Sequence, residues 1–170
     1  MSSIEKNDLF MITCNNVLPS YGEFKKIIDY EIEYHLYQTV PKYQSYPFMH
    51  EKYYHNELLT TLINFTLDTL RKNNKSDLFL KFCWFNVCKQ DSEFQWHTHP
   101  TSNVSAIYFM DGCEDNGTIL DYNGTIFQIL PKENSLFIFN STISHTIPTW
   151  KNKNRYSIAL EFLPNKTINN

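Results

Sequence analysis

Residues 117–140 read GTILDYNGTIFQILPKENSLFIFN. Three short runs of β-branched and aromatic side chains are separated by Asn123-Gly124 and by Pro131. This is the punctuation of strands joined by tight turns, not of a helix. The same grammar extends in both directions. LFLKFCWFNVCK (78–89) and SNVSAIYFM (102–110) precede the stretch and RYSIALEFL (155–163) follows it, with Asp111-Gly112 and Asn116-Gly117 as further turn signals. Six such runs in about 90 residues predict a sandwich or barrel, read here as a sandwich of jelly-roll type.

Upstream, the hydrophobic period changes from two to 3.6. YGEFKKIIDYEIEYHLY (21–37) puts Phe24, Ile27, Ile28, Ile32 and Leu36 on one stripe. ELLTTLINFTLDTLRKNN (57–74) does the same with Leu58, Leu59, Leu62, Ile63 and Leu70, and closes on the basic pair Arg71 and Lys72. Both are marks of amphipathic helices. VPKYQSYPFMH (40–50), with two prolines, reads as an ordered connector. The expectation is one mainly β domain of α+β type spanning 1–170. Two helices over about 19–74 support a jelly-roll core over about 76–163, and PNKTINN (164–170) forms a frayed tail.

The 170 residues are 42% hydrophobic and 19% charged, with 13 Phe and 11 Tyr against 4 Gly. That composition fits a globular core filled by rings and excludes a disordered chain. A net charge of −3 and a pI near 6.0 supply no global field for nucleic acid or membrane surfaces. No apolar run approaches the roughly 20 residues of a membrane-spanning helix. MSSIEKNDLFMITCNN lacks the basic-then-apolar layout of a signal peptide, so the expected location is cytoplasmic. Cys14, Cys83, Cys88 and Cys113 form no CxxC pair. Cys83 and Cys88, five apart on one strand, would face opposite sides, and reduced, idle thiols are expected. Exposed sheet edges permit a homodimer.

Of the six histidines, His35, His50 and His55 lie in the helical part with no partner pattern and read as surface or capping residues. His97 and His99, in HTHP (97–100), stand at i and i+2 of an extended segment, where both rings can face one side and share an ion. His145 ends an apolar strand in FIFNSTISHTIPTW (137–150), and a jelly roll can bring such distant strand ends together. Three imidazoles suit a divalent first-row metal such as Fe, Zn, Cu or Ni; scattered structural histidines are the competing reading. Arg155 opens the last strand, and a guanidinium running into a sandwich needs an anionic partner. Glu161, six residues along, is one candidate; a small carboxylate ligand, matched to the planar fork of arginine, is the other. Trp84, Phe85 and Trp96 are candidate pocket walls, with plain packing as the alternative.

HTHPTSNVSAIYFM, SLFIFNSTISHTIP and RYSIALEF together resemble the core of the Fe(II)/2-oxoglutarate-dependent oxygenase superfamily, and most of all its small members with a His-x-His-Pro motif. The resemblance covers about residues 78–163. It implies a double-stranded β-helix, Fe(II) as cofactor and 2-oxoglutarate as cosubstrate. It further implies hydroxylation of an unidentified substrate by dioxygen, with release of succinate and CO2. Carried over by position, His97 and His145 would bind iron and Arg155 the far carboxylate of 2-oxoglutarate. Ser157 would assist Arg155, and Tyr108 would reach the cosubstrate or serve as core packing.

One position departs from the superfamily pattern, which places Asp or Glu two residues after the first histidine. This chain has His99 there. His99 is then a third ligand, a bystander beside an open coordination position, or the sign of a degenerate site. Asp91, Glu93 and Asp111 are the acids near enough in sequence to substitute, though none has the spacing. Two rival readings remain. One is a cupin-type metalloenzyme without 2-oxoglutarate, which would leave Arg155 without a task. The other is an inactive jelly-roll binding protein.

Overall fold

In a computed structural model of the chain, residues 9–34, 37–39, 42–112, 117–148 and 154–165 are described. In chain order the elements are β1 (Met11–Asn15), α1 (Gly22–Tyr34), β2 (Tyr37–Thr39), β3 (Lys42–Gln44), α2 (Met49–Lys52), α3 (Glu57–Lys72), β4 (Leu78–Cys88), β5 (Phe94–His97), β6 (Val104–Phe109), β7 (Thr118–Tyr122), β8 (Thr125–Ile129), β9 (Ser135–Asn140), β10 (Ser144–Ile147) and β11 (Arg155–Pro164). The strands form two antiparallel sheets. The larger has seven strands in the order β1-β9-β6-β11-β4-β3-β2 and the smaller four, β5-β10-β7-β8. The expected jelly-roll sandwich is the fold observed.

The two faces of the larger sheet have different work. One carries Cys83, Phe85 and Val87 of β4 with Ile158, Leu160 and Phe162 of β11, and packs in one buried cluster with Phe24 and Ile28 of α1 and Leu59, Leu62 and Leu70 of α3. Each such side chain taken fully out of water contributes roughly 1.5–3 kcal/mol. The described part of each expected stripe is therefore the packed one, with Ile27, Leu58 and Ile63 at the margins. His35 and Leu36 lie outside the described residues. Asn56 starts α3 by accepting a hydrogen bond from the Leu59 N–H at 2.9 Å. The other face of the sheet looks at the smaller sheet across Phe109, Phe137, Phe139, Leu120 and Ile143, a second and thinner core.

A bulge in β4 changes which of its residues face which side. Glu161 of β11 stands opposite Phe82, but Phe162 stands opposite Leu80, so Lys81 is extra. The parity of β4 flips there, and Leu78 and Leu80 pack on the helix side with Cys83 and Phe85. Between β7 and β8, Asn123 and Gly124 take φ of 52° and 82°, the left-handed pair of a tight hairpin turn that the Asn-Gly signal predicts.

Five short strands escape the sequence pattern. The 40–50 connector carries β3, which pairs with β4 and, with β2, extends the larger sheet; its end runs into the single turn α2. β1 pairs with β9 at the opposite edge. β5 and β10 pair with each other. Strands of three to five residues contain too few alternations to declare themselves. No helix among the described residues is long and apolar enough to cross a membrane.

Candidate metal centre

The pairing of β5 with β10 sets His97 directly opposite His145, with ring centroids 4.2 Å apart. His99 lies just beyond the end of β5. Its N–H donates to the Ser141 carbonyl at 2.9 Å, and its carbonyl accepts from the Ser102 N–H at 3.0 Å. These two bonds hold the HTHP turn against the loop before β10. The His99 ring is then 5.1 Å from His97 and 5.2 Å from His145, centroid to centroid. One nitrogen from each ring falls within 4.8 Å of the others, a spacing that can hold a metal ion. The structure thus brings the i, i+2 pair and the distant third histidine together.

Two of the rings have their ligating nitrogen chosen for them. His97 Nδ1 lies 2.8 Å from the Gln95 carbonyl, and His145 Nδ1 lies 3.0 Å from the Ile143 carbonyl. A carbonyl only accepts, so each Nδ1 carries the proton and each Nε2 keeps its lone pair. Burial, reinforced by the neighbouring His97, pushes His145 down to about 3 and His99 down to about 4. Both rings are therefore neutral near pH 7, the form that binds metal. The donor set fits a divalent ion of the imidazole-accepting kind.

The cluster lines a cavity of about 310 Å³ between the sheets. Along β11, the alternate residues Arg155, Ser157, Ala159 and Glu161 all face it. Arg155 is 1% exposed, and its guanidinium lies over the Phe109 ring at 5.3 Å. The cavity thus has a cationic end at the start of β11 and a histidine end six residues along. Thr118 Oγ1 and Asn86 Oδ1 also face it, buried and without hydrogen-bond partners among the described residues. Buried polar atoms call for a partner, and water or a polar ligand in the cavity would supply one.

No family model and no curated protein matches the chain. Solved structures do. An oxidoreductase of the 2OG-Fe(II) oxygenase family from Burkholderia pseudomallei superposes with a TM-score of 0.64 at 16% identity, over 90% of this chain and 84% of that one. HygX from Streptomyces hygroscopicus, with nickel and 2-oxoglutarate bound, gives 0.71 at 10% identity over 92% and 83%. A Pseudomonas putida prolyl-4-hydroxylase gives 0.69 at 15% over 93% and 94%. The fold is the double-stranded β-helix of the 2OG-Fe(II) oxygenases.

On this fold, several sequence-based assignments change. Tyr108 does not face the cavity. It lies between Ile107 and Phe109, which do point inward, so the pleat turns its ring to the helix side, where it is fully buried. Its hydroxyl donates to Asn134 Oδ1 at 2.8 Å, and Asn134 Nδ2 donates on to the Leu18 carbonyl. Tyr108 is core packing. Phe85 faces the helices for the same reason of parity, and Trp96 is half exposed on β5 outside the cavity. Trp84 does line it. Cys88 faces the cavity and Cys83 the helices, both as free thiols; Cys113 lies outside the described residues.

The substitute acids do not reach the histidines. Asp91 sits in the turn after β4 with φ 62°, Glu93 accepts from Gln95 Nε2 at 2.8 Å, and Asp111 pairs with Lys25. Nor does Glu161 pair with Arg155. It accepts from Ser105 Oγ at 3.0 Å and places its other oxygen 3.6 Å from His99 Nδ1. Burial pushes Glu161 up to about 8, against the opposing pull of the Ser105 hydroxyl. Sequence reasoning missed this contact, although the even spacing from Arg155 in RYSIALEFL already puts Glu161 on the same face.

Proposed function

We propose that the chain is a non-haem Fe(II)- and 2-oxoglutarate-dependent dioxygenase that hydroxylates its substrate. One observation carries this reading: three imidazoles converge in the same cavity as a buried arginine. HygX, which has the same fold, is described with nickel and 2-oxoglutarate bound, and that supports the pairing of metal and diacid. When bound, iron and 2-oxoglutarate supply the oxidation: dioxygen and 2-oxoglutarate are consumed, succinate and CO2 leave, and one oxygen atom enters the substrate.

The chain's own contribution is placement. His97 and His145 present Nε2 because two backbone carbonyls hold the opposite side of each ring. Arg155 offers its planar fork to the far carboxylate of the diacid, and Ser157, two residues on and on the same face, adds a hydroxyl. Phe139, Ile107 and Trp84 wall the cavity and keep water from the reacting atoms. The donor set is all imidazole, so the centre is more cationic than one with a bound carboxylate.

The test is anaerobic titration of the metal-free protein with Fe(II) and 2-oxoglutarate, followed by the visible charge-transfer band of an iron-chelated 2-oxo acid. The band is expected in the wild type and absent in His145→Ala. In Arg155→Ala, 2-oxoglutarate affinity should fall by roughly two orders of magnitude or more, the scale of removing one partner of a buried ion pair. Stoichiometric metal uptake without the band would overturn the use of 2-oxoglutarate and favour a cupin-type metal protein. No metal uptake would overturn the enzyme reading itself.

A further inference from the structure

Glu161 is a buried acid in a place where the chain has little reason to keep one. It is 2% exposed, and His99 is the only basic group within 4 Å of it among the described residues. Burying a carboxyl group without a strongly basic partner is costly, so its retention calls for a task. Its surroundings are built to aim it. Ser105, its register partner on β6, holds one oxygen at 3.0 Å, and the bulge in β4 falls beside it. Bulges of this kind commonly re-aim a side chain at a site. The other oxygen meets the Nδ1 edge of His99 at 3.6 Å, which leaves Nε2 as the atom turned away from the acid.

We infer that Glu161 is a positioning residue for His99. It faces the Nδ1 edge of the imidazole, selects Nε2 as the ligating atom and so makes His99 a true third ligand. His97 and His145 are oriented by backbone carbonyls two residues away in sequence, at Gln95 and Ile143. His99 has no such carbonyl, because its segment has already left β5; a side chain from the opposite sheet takes that part instead. The acid that the H-x-acid motif would put on the metal is found behind the imidazole that replaced it. This inference rests on the proposed metal centre.

The test uses Co(II) alone, titrated anaerobically into the whole metal-free chain, with affinity read by calorimetry and coordination by the visible ligand-field bands. Glu161→Leu is expected to weaken binding 10–100-fold, the usual effect of removing a group that orients a metal-bound histidine, and to shift the bands. Glu161→Gln keeps a polar group that can face the Nδ1 edge, so it should fall between Leu and wild type. It also serves if the leucine variant fails to fold. In a His99→Ala background the Glu161 substitutions should add nothing. Wild-type affinity and bands in both Glu161 variants would overturn the inference alone, as would equal losses with and without His99. A wild-type chain that takes up no Co(II) would overturn the metal centre and this inference together.

Discussion

His97 and His145 show how little sequence is needed to orient an imidazole when the backbone holds one of its nitrogens. Each borrows a carbonyl from two residues earlier on its own segment. The histidine spacing and Arg155 were legible in the sequence because period-two alternation fixes the face a residue shares. The place of Tyr108 was not legible by that rule, since Tyr108 and the pair Arg155 and Ser157 lie on different strands whose mutual register only the fold supplies. Tyr108→Phe removes a hydrogen bond and leaves Asn134 partly unsatisfied; it should cost about 1–2 kcal/mol in denaturant unfolding and leave 2-oxoglutarate affinity unchanged. Acid should act through the imidazoles. Above the ordinary histidine value of 6.5 His99 and His145 are neutral folded or unfolded, so they contribute nothing; below it the unfolded chain takes up protons that these two buried rings refuse until about 4 and 3. Stability of the metal-free protein should therefore fall from pH 6.5 toward 4, by up to about 1.4 kcal/mol per pH unit for each ring, as thermal melts at stepped pH would show. Glu161 acts in the opposite sense. Between its ordinary 4.5 and about 8 the folded chain keeps a proton that the unfolded chain releases, so stability declines as pH rises through that window. Metal-free Glu161→Gln should accordingly melt higher than the wild type at pH 8, with the difference shrinking toward pH 5.

At the level of elements, long segments announced themselves and short ones did not. α3 was readable from its stripe and its basic last turn, and Asn56 at its start closes the cap; Asn56→Ala should cost about 1 kcal/mol, measured by chemical denaturation. β5 and β10, which carry two of the three histidines, are four residues each. Their pairing is a tertiary fact, written in no local pattern. β7 and β8 depend on a close approach at Gly117, where an added Cβ would come within 2.0 Å of the Ile129 carbonyl oxygen. Neighbouring backbone cannot yield to that contact as a flexible side chain would. Gly117→Ala should displace the start of β7 and destabilise the protein by about 1–3 kcal/mol. Because Thr118 follows directly and lines the cavity, the same variant should also weaken 2-oxoglutarate binding, which calorimetry would reveal.

Across the whole molecule, the two sheets are unequally anchored. The larger sheet is backed by a core that reaches both long helices, whereas the smaller rests on a handful of residues between the sheets. Local opening should therefore begin in β5, β7, β8 and β10, and hydrogen exchange should find their amides less protected than those of β4, β6 and β11. The histidines all belong to the smaller sheet or the loop leaving it, so Co(II) should slow exchange there first and leave the larger sheet nearly unchanged. β11 runs between these two regimes, with Arg155, Ser157 and Glu161 on one side and Ile158, Leu160 and Phe162 on the other. A library of substitutions along it would sort like a zip, abundant but inert proteins alternating with scarce ones at each step of the chain. Descendants of such a strand can trade one reaction for another in its odd-numbered residues while the even-numbered ones go on inheriting the same shape.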